Sequence, residues 1–125
     1  MIPNSVSAAF GGPFIWGLSD CLMAPANAFI EERGIDPAAS VRGKYNSMLG
    51  ATVLLTAAGG YEAWCNQNFI GKCGEKRGAL VLLKAPLLPF GSVLSYGLGD
   101  GWYAVKGEAG MDVVCNREVL GAWAW

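Results

Sequence analysis

The sequence predicts an α+β fold in which N-terminal helices pack on a C-terminal antiparallel sheet. Two observations support this prediction. Up to about residue 70 the apolar residues recur at helical spacing, whereas from residue 79 onward they form short runs between glycine-rich turns. Helices followed by a series of strands is the α+β pattern. Because 125 residues suit one hydrophobic core, we expect a single domain over residues 1–125.

The first predicted helix begins at Ser19 or Asp20, whose side chains can accept the free amide hydrogens of a first turn. It ends at Gly34, a residue suited to the left-handed conformation that closes many helices. Pro25 lacks the amide that would bond to residue 21, so we expect either a kink or an irregular first turn there.

Two further helices and a short turn are predicted before residue 71. A capped helical turn spans residues 36–41, where aspartate precedes proline. The next helix spans residues 47–58, and its apolar run suits a buried position. A glycine pair stops it, and residues 61–70 resume as a helix with Trp64 and Phe69 as packing residues.

The second half predicts five strands after an exposed turn at residues 71–78, which carries Lys72, Lys76 and Arg77. The first strand is a continuous apolar run, which favours the centre of a sheet. Glycine turns separate the next two strands. The predicted strands span residues 79–83, 93–97, 102–106, 111–115 and 119–125.

Charge and composition exclude several kinds of function. The chain has no histidine, which removes the commonest general base and metal ligand. Its net charge of −1 and lack of a basic block argue against nucleic acid and anionic membranes as partners. Only 15% of residues are charged and 53% are hydrophobic, so we expect part of the surface to be covered by other proteins.

Membrane insertion and export are not expected either. The charge-free stretches are interrupted by proline and glycine, and the first lacks the basic start of a signal peptide, so we expect a soluble chain. Four cysteines without an export signal are expected to be reduced thiols. The spacing of Cys65 and Cys73 fits no zinc site, so we expect neither metal nor cofactor. Their redox state stays open, because a disulfide could form outside a reducing cell.

The segment at residues 14–22 contains the sharpest local motif. Trp16 and Gly17 are followed by Asp20 and Cys21 at the start of the first predicted helix. Free backbone amides and the helix dipole at such a position favour a thiolate, so a lowered pKa is expected for the cysteine. This is where a nucleophilic cysteine belongs.

This segment resembles the W-G-x-x-D-C motif of the NlpC-type cysteine peptidases, which are papain-like enzymes that cleave bacterial cell-wall peptides. It is most similar to their small relatives from the tail-gene clusters of phages and phage-derived particles. Residues 77–82 and 93–102 resemble two later strands of that family. The resemblance spans about residues 13–105 and implies a papain-like NlpC-type domain.

The chain departs from the family at the catalytic positions. The family's histidine falls on or near Val93, and its polar orienting residue falls near Val105. Of the catalytic set only Cys21 is kept, as a vestigial nucleophile, so the resemblance favours an inactive domain but leaves enzymatic activity undecided.

The resemblance implies a structural component of a virion tail tip, made in the host cytoplasm and docked on hub and distal tail proteins. Two alternatives stay open: a cysteine peptidase or cell-wall hydrolase acting through Cys21, and a non-catalytic module that binds a peptide or glycan. Four aromatic residues are interface candidates, although core filling explains them equally well. They are Trp102, Tyr103, Trp123 and Trp125. Four acidic residues are interpreted as solvated turn residues: Asp20, Asp100, Glu108 and Asp112.

Overall fold

The computed structural model describes residues 2–125, and in this range it contains four helices and one five-stranded sheet. The helices are α1 Asn4–Gly11, α2 Met23–Arg33, α3 Met48–Ala57 and α4 Tyr61–Asn68. The strands are β1 Leu80–Lys84, β2 Ser92–Gly99, β3 Trp102–Gly107, β4 Gly110–Cys115 and β5 Val119–Trp123. All strand pairs are antiparallel, in the order β4-β3-β2-β1-β5, which confirms the α+β class.

The central position predicted for the first strand is confirmed, because β1 pairs with both β2 and β5. Alternation along β1 divides the core between two faces of the sheet. Leu80 and Leu82 belong to the larger core, which α1 and α2 cover, and we call this side the helix face. Val81 and Leu83 belong to a smaller cluster on the opposite face, together with Val93 and Tyr103.

Helix α1 was not predicted from the sequence. It buries Val6 and Phe10, which are four residues apart and therefore lie on the same side of the helix. Lys106 of β3 donates from Nζ to the carbonyl oxygen of Phe10 at 2.6 Å and also to that of Gly12. The C-terminal end of α1 is thus held by a buried lysine, whose exposed fraction is 3%.

Helix α2 has the irregular first turn that Pro25 predicts. The regular helix begins at Met23, three residues after Asp20, and a turn joins the two. The Ala24 amide donates to the Asp20 carbonyl at 2.9 Å, so a helical hydrogen bond between residues four apart forms before the regular helix starts. Gly34 ends the helix in the left-handed conformation, with φ of 69°.

Helix α3 contradicts the prediction that its apolar run is buried. Only Ala51 and Leu55 are buried, whereas Leu49 is 73% and Val53 is 61% exposed. The physical reason is that α3 packs mainly against α4 and not against the sheet, so one side has no partner within the domain. Within residues 2–125, no helix combines the length and the apolar character needed to cross a membrane.

The predicted exposed turn at residues 71–78 is in part an extension of the sheet. Lys72 forms a bridge with Trp123, and the Cys73 amide donates to the Ala122 carbonyl at 2.9 Å. The Ala124 amide donates to the Gly71 carbonyl at 3.1 Å. These bonds pair the start of this segment with the C-terminal end of β5, so this part is structural and only the remainder is a surface loop.

Candidate functional site

The carboxylate of Asp20 is the centre of the motif segment. Oδ1 accepts from the backbone amides of Leu22 and Met23, both at 2.9 Å. Oδ2 accepts from the Gly17 amide at 2.7 Å and from the Tyr45 hydroxyl at 2.6 Å. Asp20 is fully buried, which corrects its interpretation as a solvated turn residue. It accepts free amide hydrogens as predicted, but the predicted helix start at Ser19 or Asp20 is too early, because the regular helix begins at Met23 with Leu22 as its N-cap. We call this arrangement the Asp20 centre.

Gly17 is required at the Asp20 centre for two physical reasons. Its φ of 85° lies in the left-handed region that favours glycine. A Cβ atom at this position would lie 2.1 Å from the carbonyl oxygen of Tyr45. The Gly17 carbonyl also accepts from the Gly43 amide at 3.0 Å, so two loops meet here at backbone distance. The glycine and aspartate of the motif therefore have a complete structural explanation.

Cys21 does not have the lowered pKa that its position predicts. Burial and, to a smaller extent, the negative charge of Asp20 outweigh the nearby backbone amides and together raise the pKa of the thiol from 9.0 to about 12. The amide of Leu22, which such a helix start offers to an anion, also donates to the Asp20 carboxylate at 2.9 Å. The thiol is therefore protonated and weakly nucleophilic at neutral pH.

A small apolar pocket lies beside Cys21. Its volume of about 20 Å³ is comparable to that of one water molecule, far below the size of a peptide substrate site. The residues lining it include Trp16, Cys21, Tyr45, Leu54, Tyr61 and Phe90. Trp16 is partly exposed and packs edge-on against the ring of Phe14, with ring centroids 5.0 Å apart.

Tyr61 in this pocket was not identified from the sequence. Its hydroxyl is buried and, within the described residues, makes no hydrogen bond. Burial, followed by the nearby Cys21, raises its pKa well above the ordinary value of 10.0. Neither Tyr61 nor Tyr45 has a spacing relative to Cys21 that signals proximity, since the fold alone brings these distant residues together.

The remaining catalytic positions of the resemblance lie near one another on the sheet. Val93 on β2 and Val105 on the neighbouring β3 line one cleft of about 430 Å³ on the opposite face. Cys21 and Val105 both pack against the apolar cluster that contains Val93. Val93 thus belongs to this cluster and the other two positions pack against it, but the two valines can neither hold nor transfer a proton.

The aromatic interface candidates divide into buried and exposed residues. Tyr103 is 3% and Trp123 is 1% exposed, so both fill the core and neither is available to a partner, which corrects their candidacy. Trp125 is partly exposed and packs against Phe29, with ring centroids 4.9 Å apart. Trp102, 46% exposed, is the member of this set that most clearly faces solvent.

The cysteines are all free thiols in this structure. Cys65 is fully buried in the core on the helix face, whereas Cys73 packs against the cluster on the opposite face. Over residues 2–125, no group of three or more histidine, cysteine, aspartate or glutamate side chains is placed to hold a metal ion.

Fold and site together define an α+β domain whose motif aspartate and glycine organise a turn, beside a buried and protonated thiol. The chain belongs to the family DUF6950, a domain of unknown function, whose model matches residues 2–125. No curated protein and no solved structure matches the chain.

Proposed function

We propose that this chain is a catalytically inactive NlpC-like domain that serves as a structural component of a phage or phage-like tail tip. In this proposal it is made in the host cytoplasm and docks on hub and distal tail proteins of the virion. The supporting observation is the surroundings of Cys21: the positions that the resemblance assigns to base and orienting residue are Val93 and Val105, around one apolar cluster.

The chemistry of this cluster argues against peptide hydrolysis. With its pKa raised to about 12, the Cys21 thiol is protonated at pH 7. A cysteine peptidase also needs a group that protonates the leaving amine. Asp20 is the nearest acid in sequence, and both of its carboxylate oxygens are already occupied by hydrogen bonds. Asp20 therefore stabilises the turn instead of serving as an acid or base, and valines stand at the base and orienting positions of the resemblance.

The unpartnered side of α3 supports a role in an assembly. Met48, Leu49 and Val53 are each between 47% and 73% exposed, and we call them the α3 outer face. No charged residue occurs from residue 45 to residue 61. An apolar helix surface of this kind is stabilised when a partner removes it from water.

The activity arm of the test uses purified chain and bacterial cell-wall muropeptides. We expect no Cys21-dependent hydrolysis by the wild type when its products are compared with those of Cys21→Ala by mass spectrometry. Hydrolysis that is lost in Cys21→Ala would overturn the proposal in favour of the peptidase.

The assembly arm asks whether the chain is part of the particle. We expect it in the mass spectrum of purified particles, and we expect Leu49→Gln together with Val53→Gln to remove it from them. Val113→Gln on β4, a residue 37% exposed, is the matched control and should leave incorporation unchanged. Absence of the wild-type chain from purified particles would contradict the proposal.

A further inference from the structure

A second concave surface is lined by residues other than those of the pocket beside Cys21 and has no role in the function proposed above. It consists of two adjoining hollows of about 240 and 450 Å³ that share Trp102. We call it the Trp102 cleft. The residues lining it include Glu75, Lys76, Asp100, Trp102, Asn116 and Arg117.

The fold brings these residues together from three separate segments. The turn between β2 and β3 supplies Asp100, and the turn between β4 and β5 supplies Asn116 and Arg117. Trp102 pairs with Cys115 in the sheet register, so the two turns lie at the same end of the sheet. Glu75 comes from the loop that precedes β1.

The polar side chains of the cleft are not used by the fold. In the part of the chain that the structure describes, the ion pairs are Arg42 with Asp36 and Lys84 with Glu118, and both lie outside the cleft. The cleft's carboxylates, its asparagine amide and its guanidinium make no side-chain hydrogen bond within residues 2–125. These groups therefore remain available to a ligand.

We propose that the Trp102 cleft binds a neutral oligosaccharide. The exposed indole offers an electron-rich face on which the C–H face of a pyranose ring can stack. The carboxylates of Glu75 and Asp100 can accept hydrogen bonds from sugar hydroxyls. Arg117 and Asn116 can donate to ring or acetamido oxygens.

Charge balance in the cleft selects a neutral ligand over an ionic one. Two acidic residues, Glu75 and Asp100, face two basic ones, Lys76 and Arg117. An anion or a cation would gain attraction from one pair and repulsion from the other. A hydroxyl-rich neutral ligand can use the donors and the acceptors together.

The test is titration of the full chain with chitotetraose, a neutral oligosaccharide with both hydroxyl and acetamido groups, by calorimetry and ligand-observed NMR. We expect millimolar or tighter binding, and at least about tenfold weakening in Trp102→Ala. Trp102→Phe keeps an aromatic face and should weaken binding less. Asp100→Asn removes the charge but suits the same left-handed backbone, with φ of 54°, and should also weaken binding.

The control is Leu87→Ala, because Leu87 is 99% exposed and lies outside the cleft. Circular dichroism and thermal unfolding establish that each variant folds before it is titrated. Equal binding by Trp102→Ala and Leu87→Ala would overturn the proposal, as would failure of chitotetraose to bind the wild type. Neither result bears on hydrolysis at Cys21 or incorporation into particles, so the two proposals fail independently.

Discussion

The Asp20 centre and the Trp102 cleft differ in how their polar groups are used. At the Asp20 centre a buried carboxylate accepts four hydrogen bonds, two on each oxygen, and a glycine fits against a backbone carbonyl. At the Trp102 cleft the polar side chains are exposed and make no hydrogen bond within the described residues.

This difference shows that the residues of the recognisable motif are not the residues whose polar groups are available to a ligand. The residues that resemble a catalytic motif hold two loops together. A carboxylate whose oxygens already accept hydrogen bonds has little capacity to bind a ligand. The residues without a recognisable motif keep their donors and acceptors free. The Asp20 centre is therefore best tested for its effect on stability, and the Trp102 cleft for ligand binding.

The largest stability effect is expected for Asp20→Ala. It leaves two buried turn amides, the Gly17 amide and the Tyr45 hydroxyl without their acceptor, and each unpaired buried group costs about 1–3 kcal/mol. We expect a loss of at least about 4 kcal/mol in the free energy of unfolding, measured by urea denaturation. Asp112→Ala at an exposed position is the control and should change it by less than about 0.5 kcal/mol. A small effect of Asp20→Ala would mean that the centre is not structural.

An intermediate effect is expected for Gly17→Ala, and Gly43→Ala separates its two causes. Both glycines have positive φ, 85° and 72°, so both substitutions add backbone strain of about 1–2 kcal/mol. A Cβ at Gly43 meets no atom within 4 Å, whereas at Gly17 it meets the Tyr45 carbonyl. We expect Gly17→Ala to lower the unfolding free energy by at least about 2 kcal/mol more than Gly43→Ala does. Equal losses of unfolding free energy in the two variants would show that the loops can separate around the added Cβ of Gly17→Ala without loss of stability.

The smallest effect at neutral pH is expected for Cys21→Ala, and it grows in alkali. The folded thiol has a pKa of about 12 against an ordinary 9.0, so between these values the unfolded chain releases a proton that the folded chain keeps. The stability that this provides is fully present below about pH 9 and is lost as the pH rises toward 12, by up to about 1.4 kcal/mol per pH unit.

Denaturant titrations of the wild type and Cys21→Ala at a series of pH values measure this loss. The two curves of unfolding free energy against pH should run parallel below about pH 9 and converge or cross above it, since only the wild type carries the titrating thiol. Curves that stay parallel into alkali would show that the thiol is solvated and ionises as a free cysteine does.

Local signals predicted much of the fold. The strands follow from short apolar runs between glycine turns, Gly34 marks the end of α2, and Asp20 binds the amides of the turn that leads into this helix. Burial was harder to predict, because an apolar run such as that of α3 is buried only if another element covers it. Tertiary topology decides this, and α3 lies beside α4 instead of under the sheet.

The site was predicted less completely than the fold. The sequence places Asp20 and Cys21 at a helix start, but the partner of Asp20 is Tyr45, 25 residues away. The pKa of Cys21 depends on this packing, since burial and the neighbouring carboxylate outweigh the backbone amides that the local pattern shows. Val93 and Val105 could be identified only through the resemblance, because a valine in a strand has no reactive or polar group that would single it out.

The bond from Lys106 to the end of α1 has a consequence for the order of folding. Lys106 is separated by 96 residues from Phe10, whose carbonyl oxygen it binds. During synthesis, α1 therefore emerges long before β3 exists, and a helix of eight residues is marginal in water on its own. Helix α1 packs mainly against α2, which follows it closely in the chain, but the bond that fixes its C-terminal end forms only once β3 is in place.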